Sequence, residues 1–332
     1  MSTSAGRTCP LRYRYAPEVF AAAATLRAET LYVVGGLYGN IESLRRVFEM
    51  KREEERMSGG QVDLLFNGDF NWFACDAEGF GEINAAVLEH AAILGNVEAE
   101  LDPAGDDNGC GCNYPDYIPA AVVDRSNAIM RRLKATASAF PDVRARIAAL
   151  PMYCSVEIGA LKIGVVHGDA ESLAGWGFAY EAMPALPGEA ETGYRSAPDV
   201  IARIFGRSGV AAFASTHTGL PVLQDFEVSN QRRLVINNGA AGLPSFKGSG
   251  YGLLTRISSR PETPRESIYG SAVGGVRFDA LAIRYDAAAW LKRFTAHWPP
   301  GSAAHEGYHE RITQGPDFSI ARAVRLARVT AA

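Results

Sequence analysis

The sequence predicts an α/β fold, and three observations lead there. Short apolar runs of strand length alternate with stretches of helical periodicity over the first third of the chain. Several of those runs end at a Gly beside a single polar residue. The composition is that of an ordinary packed protein, with 332 residues, 47% hydrophobic and 21% charged. That is enough for a sizeable core, in one large domain or two small ones.

Taken in order, "LYVVGGLYGN" at 31–40 reads as a buried strand, a glycine turn, and Asn40 capping a helix. Ile41, Leu44 and Val47 then fall at helical spacing, and the charged run "KREEER" marks the solvated end. "QVDLLFNGD" is a second strand ending at Gly68-Asp69. "EINAAVLEHAAILGN" is a helix running into a short strand that stops at Gly95-Asn96. Strand, helix, strand, helix, strand is the order that builds a sheet covered by helices. The Gly/Asp/Cys loop "DPAGDDNGCGCNYPDY" follows, then two expected helices around 120–135 and 142–150; we take this region as an insertion over the face where the loops gather. "PMYCSVEIGALKIGVVHG" reads as a hairpin turning near Gly159 and ending at His167-Gly168, and "GVAAFASTHTG" as a strand ending at His217. "PVLQDFEVSNQRRLVINNGAAG" gives two strands joined at Ser229-Asn230. "GYGLLTRIS" and "GGVRFDALAIRYD" give one each, with Asp286 capping a helix over 287–298. The tail "FSIARAVRLARVTAA" reads as a terminal helix with Arg322, Arg325 and Arg328 on a solvated side.

Composition narrows the function. A net charge of -4 argues against nucleic acid as a partner, which needs clustered positive charge. No apolar run reaches the roughly 18–20 residues of a membrane span, and the apolar stretch at 19–26 is too short and alanine-rich for a signal peptide. The expected location is therefore cytoplasmic, away from a membrane. Five cysteines make no disulfide framework in a chain this long. Cys110 and Cys112 form a C-G-C whose spacing differs from the two-residue zinc knuckle. They read either as thiols of a surface loop or as soft ligands or a redox pair brought to a site.

The informative residues are Asp69, Asn96, His167 and His217, each in a loop just past an apolar run. Polar residues at the carboxyl ends of neighbouring strands are how α/β sheets build sites. A carboxylate, an amide oxygen and two imidazoles are a sensible ligand set for Zn, Mn or Fe. Singly, each also reads as a helix cap, a turn residue or a structural histidine.

Together these segments resemble the calcineurin-like metallophosphoesterases, in particular their small bacterial phosphodiesterase branch. That family's motifs GD-x-H-G-N, GD, GN-H-E/D, H-G and G-H-T-H before a proline find counterparts here in the same order. They are "GGLYGN" (35–40), "NGDF" (67–70), "GNVE" (95–98), "VVHGD" (165–169) and "STHTGLP" (215–221), and "VINNGAAGLP" (235–244) resembles the family's core-closing segment. The resemblance covers about residues 30–257 of a single domain spanning 1–332. It leaves out an insertion at about 101–150 and a C-terminal extension at about 258–332. It implies a four-layer α/β/β/α sandwich, two central sheets flanked by helices.

The resemblance also implies two metal positions, and the departures fall on one of them. The first would use the positions of Gly36, Tyr38, Asp69 and Gly219, where only Asp69 keeps the family's ligand. The second would use Asp69, Asn96, His167 and His217, all retained. Val97 stands where the family has a His that orients phosphate or acts as acid, so the ordinary two-metal mechanism does not carry over intact. The expectation is one divalent transition metal ion (Zn, Mn or Fe) on the retained four. The expected activity is hydrolysis of a small phosphorylated substrate, as phosphatase or phosphodiesterase. Tyr38 and Glu98 are the candidate catalytic groups. Asn71, Asp169, Cys110 and Cys112 are candidates for contacts to substrate or to the ligands. Restoring Gly36→Asp, Tyr38→His and Gly219→His together is expected to raise metal stoichiometry. Two readings compete: an inactive binding or regulatory module on this scaffold, and a metalloenzyme of another class, such as an iron-dependent oxidase or a lyase.

Overall fold

A computed structural model describes residues 5–105, 107–189 and 193–331, with side chains to residue 327. In chain order the elements begin with β1 (Leu26–Arg27), β2 (Thr30–Val34), α1 (Ile41–Ser58), β3 (Asp63–Asn67), α2 (Ala77–Val87), β4 (Ala91–Ile93) and α3 (Asn96–Ala99). The 101–150 region supplies α4 (Ala120–Ala137) and α5 (Pro141–Ala148). Then come β5 (Tyr153–Ile158), β6 (Leu161–Val166), α6 (Pro198–Ser208), β7 (Ala212–Ser215), β8 (Pro221–Val228), β9 (Gln231–Asn238) and β10 (Gly252–Ser258). The chain closes with β11 (Ser267–Val273), β12 (Val276–Ile283), α7 (Ala287–His297), α8 (Ala303–Gln314), α9 (Ile320–Ala323) and β13 (Val324–Ala331).

The strands form two sheets, β11-β12-β10-β2-β3-β4 and β1-β5-β6-β7-β9-β8-β13. Alternation along each strand explains how they stack. Tyr32, Val34, Leu64 and Phe66 point to a core shared with α1, α2, α4, α7 and α8. Their neighbours Leu31, Val33 and Leu65 pack between the sheets against Val156, Ile163, Val165 and Ile236. On the far side Val166, Phe213, Val222 and Val235 meet Ile201, Ile204 and Phe205 of α6. The layers are thus helix, sheet, sheet, helix, the expected sandwich. Strands buried on two faces need continuous apolar runs rather than alternation, as β2 and β3 have. Asn40 caps α1 by accepting from Ser43 N at 3.0 Å. Ser229 and Asn230 turn the β8–β9 hairpin at φ 51° and 59°, the paired positive φ of a type I′ turn.

The tail departs from the expected helix. After the single turn of α9, β13 runs parallel to β8 as the outer strand of its sheet. Arg322 lies over the rings of Tyr180 and Phe318. Arg325 is 1% exposed, with Glu189 at 2.8 Å and Gln224 Oε1 at 2.7 Å. The three-residue Arg spacing therefore reflects no solvated helical face, and the side chain of Arg328 lies outside the described residues. β11, α6 and α8 were not foreseen, and α8 matters for the site. Among the described residues no helix is long and apolar enough to cross a membrane.

Candidate metal centre

Asp69, Asn96, His167 and His217 converge at the ends of β3, β4, β6 and β7. Close approach of these loops needs the absence of a side chain at Gly95, where a Cβ would lie 2.3 Å from Asp69 Oδ1 and 2.4 Å from Asp69 N. Asp69 at φ 53° and His217 at φ 67° hold left-handed backbone. Such a conformation costs a non-glycine residue about 1–3 kcal/mol and is concentrated at functional sites.

Each donor is keyed from behind. His167 Nδ1 donates to Asn67 O at 2.8 Å, and His217 Nε2 donates to Cys112 O at 3.2 Å. These carbonyls fix the tautomers, so the opposite nitrogen of each ring presents its lone pair inward. Asn96 Nδ2 donates to Cys110 O at 2.8 Å, which aims the amide oxygen inward. His167 Nε2 then lies 3.1 Å from Asn96 Oδ1, 3.2 Å from His217 Nδ1 and 3.3 Å from Asp69 Oδ1. The ligand atoms of Asp69, His167 and His217 all fall within 4.8 Å of one another. A tetrahedral ion with bonds of about 2.0–2.2 Å separates its donors by about 3.3–3.6 Å. The residues present fit one such ion.

Electrostatics match a site built to trade protons for a cation. Burial works against the charge on Asp69, but the facing imidazoles of His167 and then His217 outweigh it and hold the carboxyl below its ordinary value. Burial likewise opposes protonation of His167, yet Asp69 outweighs it and raises that imidazole. Burial, and then the neighbouring His167, push His217 down to about 3. In the metal-free protein the unfolded chain therefore takes up a proton at His217 below about pH 6.5 while the folded chain does not. Taken alone, that makes acid favour unfolding by up to about 1.4 kcal/mol per pH unit. Glu98, pushed up to about 7, takes up a proton in the folded chain over the same range. It cancels most of that loss down to its unfolded pKa of about 4.3. Below that the Glu98 and His167 contributions are complete, the His217 uptake continues, and protonation of Asp69 adds to the loss. Chelator-treated protein is expected to melt at nearly the same temperature at pH 7 and pH 5 and several degrees lower by about pH 3.5; a steep fall already between pH 7 and 5 would contradict this assignment of protons.

The other predicted residues separate clearly. Tyr38, at φ 54°, lines a cavity of about 170 Å³ with Asp69, Asn96, His217, Tyr308 and Arg311. Burial, then Asp69, holds its phenol well above its ordinary value. Glu98 does not face the cavity as a catalytic group. Its oxygens accept from the backbone N of Asp69 (2.6 Å), Phe70 (3.1 Å), Asn71 (3.2 Å) and Gly95 (3.2 Å). Burial and then Asp69 push its carboxyl up to about 7. Asn71 lies behind the donors, exchanging hydrogen bonds with Asn84 at 2.7 and 3.3 Å, and does not line the cavity. Asp169 is a turn former, accepting from the backbone N of Glu171, Ser172 and Gly177, each at 2.9 Å. The Cys110–Cys112 loop does fold over the site, but its carbonyls hold the donors; neither sulfur belongs to the donor group. Burial, then its bond to Cys110, keeps the Cys112 thiol well above its ordinary value, so it is no ready thiolate.

Sequence reading missed Tyr308 and Arg311 on α8, and the ring wall of Trp72, Tyr114 and Trp176. A signal existed: Ala304, Tyr308 and Ile312 recur every fourth residue before Gly315, a short amphipathic helix with its stop. The same helix carries His305-Glu306-Gly307-Tyr308-His309, a match to H-E-x-x-H with the two imidazoles stacked 4.4 Å apart. Among the described residues no third His, Cys, Asp or Glu joins that pair as a ligand set. A larger cavity of about 510 Å³, lined by Glu54, Arg256 and Arg260, contains none of the donor group.

No protein-family model matches the chain, and no curated protein matches it. Solved structures do. A hypothetical protein of Pyrococcus horikoshii, 17% identical, superposes with a TM-score of 0.55 over 87% of this chain and 99% of its own. A metallophosphoesterase of Sphaerobacter thermophilus, 15% identical, gives 0.50 over 87% and 100%. The chain has the calcineurin-like metallophosphoesterase fold, with a buried Asp/His/His group able to hold a metal.

Proposed function

We propose that this protein is a phosphoric ester hydrolase that works with one divalent transition metal ion held by Asp69, Asn96, His167 and His217. The convergence of those four donors, with spacings of 3.1–3.3 Å around His167 Nε2, carries the reading. The metal, when bound, would lower the pKa of a water and polarise a phosphoryl oxygen. The chain's own residues hold and surround the substrate. Trp72, Tyr114 and Trp176 wall the cavity, and Tyr38 presents a protonated phenol to it. Zn, Mn and Fe all suit the donor set. A small molecule carrying a phosphoryl group suits a cavity of about 170 Å³.

The test is metal content per chain on anaerobically purified protein, followed by phosphomonoester and phosphodiester assays with the metal found. One equivalent is expected. Iron with oxygen-dependent turnover would favour another reaction class, and no metal even with excess ions would favour a binding module. The expectation for the restored variant changes with the structure. Gly36 and Gly219 hold φ of +65° and +76°, and a Cβ at Gly219 would lie 3.0 Å from Arg311 Nη1. Gly36→Asp, Tyr38→His and Gly219→His together are therefore expected to leave stoichiometry at one. A second equivalent would show that the vacated half can reopen.

A further inference from the structure

Arg311 is placed by α8 in the cavity wall on the side of Gly219. Its guanidinium is fixed from behind, Nη2 donating to Gly219 O at 2.6 Å and Nε to Pro244 O at 3.3 Å. A guanidinium carries five N–H donors and no acceptor; with two engaged, three remain. Among the described residues no carboxylate pairs with it, although other partly buried arginines here, such as Arg46 and Arg232, have acidic partners. Withdrawing a cation from water without a counter-ion is costly, which makes sense if the counter-ion is a ligand. Tyr38 and Tyr308 line the same cavity. A phenol carries its proton at neutral pH, so they too are donors.

Position adds to chemistry. A Cβ at Gly36 would meet the Tyr38 ring at 3.3 Å, and one at Gly219 would meet Arg311 Nη1 at 3.0 Å. The places where the resemblance expects ligands of a first metal are filled by a phenol and a fixed organic cation. We infer that Arg311, with Tyr38 and Tyr308, forms an oxyanion-binding wall that receives the phosphoryl group of a small ester in the cavity shared with Asp69 and His217. A planar fork of N–H groups matches phosphate geometry better than a point charge does. The inference deepens the hydrolase reading and rests on it for the reaction; the anion site itself does not require the metal.

Inorganic phosphate titrated calorimetrically into the full-length protein tests this, with metal-loaded and chelator-treated samples and metal content measured on each. Wild type is expected to bind phosphate in the two forms. Arg311→Met is expected to weaken binding about tenfold to a hundredfold at unchanged metal content, and Arg311→Lys, which keeps charge but loses the fork, by a smaller factor. Wild type that binds no phosphate, or equal affinity in wild type and Arg311→Met, overturns the inference. Should Arg311→Met fail to fold, Arg311→Lys decides, unchanged affinity counting against it. Arg311-dependent binding in a protein that takes up no metal would sink the metal-site reading and leave the oxyanion wall standing.

Discussion

Asp69→Asn and His217→Ala are each expected to strip the protein of metal and to lower any phosphoester hydrolysis by at least about a hundredfold. Loss of groups that merely orient a ligand costs about 10–100-fold in metal affinity, and these substitutions remove the proposed ligands themselves. Asp69→Asn is the cleaner probe because the amide keeps an oxygen for Val97 N, now 3.1 Å from Asp69 Oδ1. It removes the charge without the volume. It also removes the partner that raises the His167 imidazole, so the cluster becomes neutral and the Coulomb attraction for a dication falls. Elemental analysis after equilibration with excess Zn²⁺, Mn²⁺ or Fe²⁺ reads the result. The melting midpoint of chelated protein is the control, expected to stay within a few degrees of wild type for Asp69→Asn. Full metal content in the two variants would end the site assignment.

How far the sequence itself reaches can be judged residue by residue. The four donors were legible because each is a ligand type placed at the end of an apolar run, and strand ends in an α/β sheet gather at one edge. Asn40, Asp286 and the Ser229-Asn230 turn were legible because caps and turns are local chemistry. Arg311 was not, since its place beside Gly219 depends on how α8 packs across α4 and α7, a contact between distant segments. Arg325 shows the same limit from the other side. Spacing suggested a solvated helix, whereas Glu189 and the outer edge of β8 supply partners that bury it in a strand. The place of Glu98 was hidden for a further reason. Sequence shows that a carboxylate is near the donors, but not that the 69–71 backbone turns its N–H groups towards it.

That last point yields the strongest structural prediction. Glu98→Ala is expected to destabilise the protein by about 4 kcal/mol or more and to remove metal as a consequence. Four backbone N–H groups and the Asn71 amide, at 2.6–3.2 Å, lose their acceptor in a buried place, and each orphaned donor costs about 1–3 kcal/mol, less where water can enter. The melting midpoint should fall by about 5–10 °C in a chain of this size. Glu98→Gln sharpens the test. Its NH₂ would point a donor at either the Asp69 and Gly95 pair or the Phe70 and Asn71 pair, so roughly half the clamp fails and stability drops too. A catalytic base would behave otherwise, with Glu98→Gln abolishing turnover while metal content and melting stay at wild-type values. Loss of stability and metal in parallel across Gln and Ala identifies Glu98 as the group that holds Asp69 in its left-handed pose, and only through Asp69 as a contributor to chemistry.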